Sequence, residues 1–172
     1  MTLAATSSIP LDLGGLRVAI TAGAGGIGRV MADSFANCGA HPFVSDVDDA
    51  ALASCGHPGM HANAGIVRDL DRFIDAAASH LGGLDVLVNN AGIAVLRLIS
   101  AMTTADWQLQ NSVNLDSVFH GTRRAVALMR KIGEGGSIIN ISSTVGLVGV
   151  PACSAYAAAK GGVRLFSKSV AV

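Results

Sequence analysis

The sequence has no surplus of either charge: 12 Lys and Arg stand against 12 Asp and Glu in 172 residues. No large basic face is available to neutralise a phosphate backbone or an anionic membrane, which makes nucleic acid and membrane poor partners. Cysteine is sparse, and Cys38, Cys55 and Cys153 form an odd set without CxxC spacing or paired His nearby. Neither a disulfide framework nor a zinc site is suggested, and no metal is expected. The three read as ordinary small apolar residues. Long hydrophobic runs are missing as well. No stretch approaches the roughly 18 to 20 apolar residues of a spanning helix, and Met1 to Gly14 has neither a basic start nor a sustained apolar run. A soluble, cytoplasmic protein is expected. Low-complexity tracts, interdomain linkers and internal repeats are likewise absent from the sequence.

What is abundant is apolar residues, at 51%, and glycine, at 21 residues. That is the composition of a buried parallel sheet with tight strand-to-helix turns. Leu16 to Thr21 is a short apolar run ending in a glycine cluster, and Ile27 to Asn37 comes next with Ile27, Val30, Met31 and Phe35 at helical spacing. His41 to Asp46 predicts a second strand, Asp48 to Ser54 a short helix capped by Asp48, and Gly59 to Asn63 the least marked strand. Asp69 to Leu81 predicts a helix with Phe73, Ile74, Ala77 and Ala78 inward, ended by Gly82-Gly83 before a strand over Leu84 to Asn89. Thr104 to Arg130 carries one long helical pattern, Ser137 to Ser142 a fifth strand and Ala155 to Val170 the last helix. Five strand-helix units in series imply an α/β fold: a Rossmann-like, doubly wound parallel sheet in three α/β/α layers. The expected organisation is an N-terminal extension over residues 1–13 and one dinucleotide-binding domain over 14–172.

Three features carry chemistry. The first is Thr21-Ala22-Gly23-Ala24-Gly25-Gly26-Ile27-Gly28 between the first strand and first helix, where glycines let backbone approach a pyrophosphate and the helix start offers free N–H groups. A tight turn without any ligand is the plainer reading. The second is Asp46, 18 residues after Gly28 at a strand end, where a carboxylate can accept hydrogen bonds from ribose hydroxyls and repel a 2′-phosphate. No Arg or Lys stands in the glycine turn or from Ser45 to Ala50, so NAD(H) is favoured over NADP(H). A helix cap is the alternative role of Asp46. The third is Tyr156 and Lys160, four apart on one helix face, with Ser142-Ser143 at the end of the fifth strand. An exposed helix pair and a strand-end turn would explain these residues equally well one at a time.

Taken in order, the turn Thr21 to Gly28, the segment Asn89-Asn90-Ala91-Gly92, Asn114, Ser143 and Tyr156-x-x-x-Lys160 resemble the short-chain dehydrogenase/reductase family, from about Leu13 to the last residue. The resemblance implies Tyr156 as general acid/base, Lys160 as its electrostatic support and holder of the nicotinamide ribose, Ser143 as hydrogen-bond partner of the substrate oxygen, and Asn114 as holder of a water beside Lys160. A free phenol titrates near 10, so such support is chemically needed. By the same resemblance Gly23, Gly26, Ile27 and Gly28 would line the diphosphate, Asp46 the adenosine ribose and Asn63 the adenine. Asn90 and Gly92 would pass beside the riboses, and Asn89 would brace neighbouring strands. The implied substrate is a small secondary alcohol or ketone, and the implied assembly a homo-oligomer, dimer or tetramer, of the complete protein.

Two departures stand out. Ala22 replaces the first turn glycine of the family, and Ala159 a common serine before the lysine. A family member would also continue past Val172 through a sixth strand, a segment closing over substrate and a seventh strand, so the sheet is expected to lack its last two strands. The alternative to an NAD(H)-linked oxidoreductase is therefore an inactive fragment that binds NAD(H) or a related subunit. A methyltransferase-like binder would account for the glycine turn and Asp46 but leaves Ser143, Tyr156 and Lys160 unexplained.

Overall fold

The computed structural model describes residues 11–133 and 135–171. Most of the expected N-terminal extension lies outside the described residues; Leu13, its last residue, donates its N–H to the Cys38 carbonyl and packs against the core. Five parallel strands form one sheet: β1 (Arg17–Ile20), β2 (His41–Asp46), β3 (Gly59–His61), β4 (Val86–Asn89) and β5 (Ser137–Asn140), in the order β3-β2-β1-β4-β5. Every connection between successive strands passes through at least one helix, as parallel pairing demands, and α3 carries the chain from β3 back past β2 and β1 to β4. The helices are α1 (Gly26–Asn37), α2 (Asp49–Ser54), α3 (Val67–Leu81), α4 (Thr104–Asn111), α5 (Ser117–Ile132) and α6 (Ser154–Val170). No helix among the described residues is long and apolar enough to cross a membrane.

Alternation along the strands divides the core. Ala19, Phe43 and Leu87 face α3 and α5, meeting Leu70, Phe73, Ile74 and Ala77. Val18, Ile20, Val44 and Val88 point the other way, under Ala32 of α1 and beside Leu52 of α2. Both faces of the central strands are thus dry, and Val18, Ala19 and Ile20 are fully buried. On the α5 side the Asn140 amide of β5 donates to Ser167 of α6 at 2.9 Å, which ties that helix to the same layer. The Asn89 amide, by donating to Asn140 at 2.8 Å, braces β4 against β5.

Element ends obey local chemistry. Asp48 caps α2 by accepting the Ala51 N–H, and Thr103 and Asp106 form a reciprocal capping box at α4. Gly82, at φ 75°, closes α3 in the left-handed region. Three expectations need correcting. Helix α3 begins at Val67, because Asp69 reaches back to the Asn63 N–H and shapes the turn before it. Ala78 is only half-buried, and Leu70 takes its place in the core. The single helix expected over 104–130 is interrupted by a π turn at Ser112–Asp116, which adds one residue to a turn and so rotates α5 about the helix axis relative to α4.

Candidate active site

In the order β3-β2-β1-β4-β5 strands are added on one side of β1 as far as β3 and on its other side from β4 onward, and open α/β sheets bind ligands outside the strand ends at the point where that order switches. A cleft of about 620 Å³ opens there, with Gly28, Asp46, Gly92, Ser143, Tyr156 and Lys160 in its wall. A second cavity of about 420 Å³ shares Ala22, Asp46, Gly92 and Ile93 with it and adds Asn63 and Val47. Together they make one trough across the sheet edge. A larger groove of about 780 Å³ lies between α5, α6 and the outer edge of β5, away from all of these residues, so size alone does not choose the site.

The glycine turn is built around close backbone approach. Ala22 adopts φ 50°. A Cβ on Gly28 would lie 2.0 Å from the Ala22 carbonyl oxygen and 2.7 Å from Asn90 Nδ2, so only glycine fits. Asn90 fixes the turn from the neighbouring strand, its amide donating to the carbonyls of Thr21 and Ala22 at 3.0 Å each. Thr21 Oγ1 accepts the N–H groups of Asn90 and Ala91, both at 3.0 Å. Helix α1 starts at this turn with Gly25 as its N-cap and no side-chain cap, which leaves its first N–H groups and positive dipole end facing the cleft. Gly23 and Gly26, expected to line the diphosphate, do not line the cleft: Gly23 is pressed against Val44, and Gly26 supplies the φ of 50° that the turn requires.

Asp46 ends β2 in both cavities. Its Oδ1 accepts the N–H groups of Val47 (2.8 Å) and Asp48 (3.2 Å), and Oδ2 that of Ala24 (3.2 Å). The carboxylate is therefore held in place while α2 is capped by Asp48 instead. The nearest arginine in sequence, Arg29, is turned away by Asp33 (3.4 Å) and the Ser54 carbonyl (3.4 Å). Asn63 sits at the far end of the trough, its Oδ1 accepting the Gly65 N–H at 2.9 Å.

At the other end, α6 presents Tyr156 and Lys160 on one face, as their spacing requires. Tyr156 is the only tyrosine in the sequence. Lys160 is buried; its Nζ donates to the Ile141 carbonyl at 2.7 Å and lies 5.9 Å from the Tyr156 ring centre. Burial pushes its ammonium pKa below the ordinary lysine value. Ser143 Oγ accepts the Val145 N–H at 3.2 Å, so its own hydrogen remains free for a ligand. Ser142 instead donates to the Lys160 carbonyl at 2.8 Å and locks β5 to α6.

Asn114 does not line the cleft. It is fully buried in the π turn, where its amide donates to the carbonyls of Ile93 and Gln110 at 2.9 Å and its Oδ1 accepts the Ile93 N–H at 3.0 Å. Its closeness to the site runs through Gly92, where a Cβ would sit 2.9 Å from Asn114 Oδ1 and 3.4 Å from Lys160 Nζ. Sequence reasoning missed Gln110, one helical turn earlier and fully buried, which grips Val95 by both its N–H and its carbonyl. Two amides four apart on one helix face were the available signal. An uncapped helix start, an accepting carboxylate at one end of the trough and a hydroxyl pair with a buried ammonium at the other are a set of donors and acceptors that fits a nicotinamide dinucleotide. Among the described residues no group of three or more His, Cys, Asp or Glu gathers to hold a metal.

The chain is 39% identical over 161 residues to an NADP-dependent (R)-specific alcohol dehydrogenase of Lentilactobacillus kefiri, covering 89% of this chain and 64% of that one. It is 36% identical over 164 residues to a cyclopentanol dehydrogenase of Comamonas testosteroni, covering 90% and 65% respectively. The chain thus spans somewhat less than two thirds of these relatives. The crystal structure of levodione reductase superposes with a TM-score of 0.84 at 28% identity, over 91% of this chain and 65% of that one. A family model described as short chain dehydrogenase matches residues 17–172, the whole sheet and both ends of the trough, and the chain belongs to that family.

Proposed function

We propose that this chain carries the cofactor-binding and proton-transfer residues of an oxidoreductase that moves a hydride between NAD(H) and a secondary alcohol or ketone. The observation behind this reading is that Ser143, Tyr156 and Lys160 meet in the same cleft as Gly28 and Asp46. Relatives named for alcohol oxidation support the reaction class.

The N–H groups that open α1 at Gly26, Ile27 and Gly28 would hold the diphosphate, with Gly23 and Gly26 acting through the shape of the turn. Asp46 would hold the adenosine ribose, Asn63 the adenine, and Asn90 and Gly92 the path between the riboses. When bound, the nicotinamide supplies the hydride acceptor or donor. Ser143 donates to the substrate oxygen through the hydrogen that Val145 leaves free. Tyr156 gives its proton to that oxygen in reduction and takes one in oxidation. Lys160 commits one hydrogen to Ile141 and keeps two for the ribose hydroxyls and the Tyr156 side. Its lowered proton affinity eases release of a proton toward the phenolate that Tyr156 becomes once it has protonated the substrate oxygen in reduction. Asn114, with its amide committed to Ile93 and Gln110, positions the Gly92 loop, and any water it holds beside Lys160 must share that amide.

NAD(H) is preferred on the strength of the anchored Asp46 carboxylate, although one relative is named as NADP-dependent. The exposed Phe119 of α5 and Leu165 of α6 support pairing of copies through these helices. Tyr156→Phe tests the assignment: turnover on alcohols should fall by about 10² to 10⁴-fold while NADH binding, read by nicotinamide fluorescence, stays within a factor of about two. Undiminished turnover in that variant would remove Tyr156 from the mechanism.

A further inference from the structure

The loop after β4 is bonded like a strand without lying beside one. Ile93 and Val95 are half-buried and Ala94 between them is exposed, and no strand among the described residues pairs with the three. Two side-chain amides take that place. Asn114 accepts the Ile93 N–H at 3.0 Å and donates to the Ile93 carbonyl at 2.9 Å. Gln110, one helical turn earlier, repeats the pattern two residues along the loop, accepting the Val95 N–H at 3.1 Å and donating to the Val95 carbonyl at 3.2 Å. The second Asn114 hydrogen joins the two rungs by donating to the Gln110 carbonyl at 2.9 Å.

Both amides are fully buried, where an unmet primary amide is costly. A shift of the loop that broke either rung would therefore strand a buried side chain together with the backbone it holds. The two rungs serve different parts of the trough. Gly92 and Ile93, at the Asn114 rung, border both cavities, whereas Ala94, next to the Gln110 rung, lines the cleft that holds Ser143, Tyr156 and Lys160 and not the cavity that holds Asn63.

Resting on the proposed oxidoreductase function, we infer that Gln110 is a positioning residue for the nicotinamide end of the cofactor, holding Ala94 in the cleft wall through Val95. Without that rung the wall at Ala94 gains freedom beside Ser143 and Tyr156, while Asn114 still holds Ile93 and Asp46 keeps its three backbone N–H groups.

Titration of the purified protein and of Gln110→Leu with NADH, followed by nicotinamide fluorescence, and with ADP, followed by calorimetry, separates the two ends, since ADP carries the adenosine and diphosphate alone. In Gln110→Leu the Kd of NADH should rise about threefold to tenfold, with that of ADP moving by less than about twofold. Bound NADH should also lose most of its fluorescence enhancement, and amide exchange should quicken at Val95 more than at Ile93. Gln110→Glu supplies a second test, because a protonated carboxyl still accepts the Val95 N–H and donates to its carbonyl. Burial raises a carboxyl pKa, so this variant should match the unaltered protein at about pH 6 and lose NADH affinity toward about pH 9, as the donor is lost. Unchanged NADH affinity and fluorescence in Gln110→Leu, equal losses of NADH and ADP, or a pH profile of Gln110→Glu that follows the unaltered protein overturns the inference. Failure of the unaltered protein to bind NADH overturns the oxidoreductase reading instead, and the exchange rate at Val95 then decides whether Gln110 holds the loop.

Discussion

Ala22 is, with Ala152, one of two non-glycine residues among those described whose φ is positive. Its φ of 50° lies in the left-handed region, where an L side chain costs about 1–2 kcal/mol relative to glycine. The carbonyl of this residue is also the one that Asn90 grips and that Gly28 must approach without a Cβ. Strain is thus stored in the wall of the cleft. Ala22→Gly should raise stability by about 1 kcal/mol, less the entropy that glycine adds to the unfolded chain. In a melting experiment this is a rise of about 2–4 °C. A fall in Tm would mean that the methyl group packs usefully and that the left-handed geometry carries no cost. Gly28→Ala is the opposite case, because its Cβ has nowhere to go.

Among the elements, β1 and β4 are held together at their start by Arg17 and Asp85. The Arg17 Nε donates to Asp85 Oδ2 at 2.8 Å, its Nη2 to Oδ1 at 2.5 Å, and its backbone N–H to Oδ2 at 2.8 Å. The arginine hydrogen bonds hold the Asp85 carboxyl below the ordinary aspartate range, against a smaller opposing effect of burial. A carboxyl with a depressed folded pKa contributes stability above its unfolded value, near 3.9, and loses it as pH falls through the folded value. Arg17→Met should therefore cost about 1–2 kcal/mol at pH 7 and shrink the loss of stability below about pH 4. Urea titrations of both proteins at pH 7 and pH 3 decide this, and an unchanged difference between the two pH values would count against the pair.

The elements also mark what was legible. β2 falls on His41–Asp46 as expected, because an apolar run bounded by turn residues and ending in an acid has few alternatives. Tyr156, Ser143 and Asp46 lie at or near a strand end or a helix start that the alternation itself locates, and Lys160 follows from sharing the helix face of Tyr156. The π turn at Ser112–Asp116 was not legible. Its apolar spacing runs on without a glycine or proline, and what holds it is tertiary: Asn114 and Gln110 bonded to the loop backbone at Ile93 and Val95. The role of Gly23 was hidden for a similar reason, since its need for space comes from Val44 on another strand.

On the scale of the whole molecule, the trough draws on nearly every part of the fold: the β1–α1 turn, the end of β2, the loop after β4, the end of β5 and α6. A dinucleotide bound there would touch the end of β2 and α6 at once. A ligand that binds only the folded state stabilises it by RT ln(1 + [L]/Kd), about 2.7 kcal/mol at a hundredfold excess over Kd. NADH at that excess should raise Tm by several degrees in one cooperative step. Asp46 gives the experiment its discrimination, since its carboxylate is anchored by three backbone N–H groups and cannot easily swing away from a 2′-phosphate. At equal concentration NADPH should shift Tm less than NADH does, and Asp46→Ser should bring the two shifts together. Equal shifts in the unaltered protein would place the cofactor choice elsewhere than at the end of β2, and a larger shift with NADPH would reverse it.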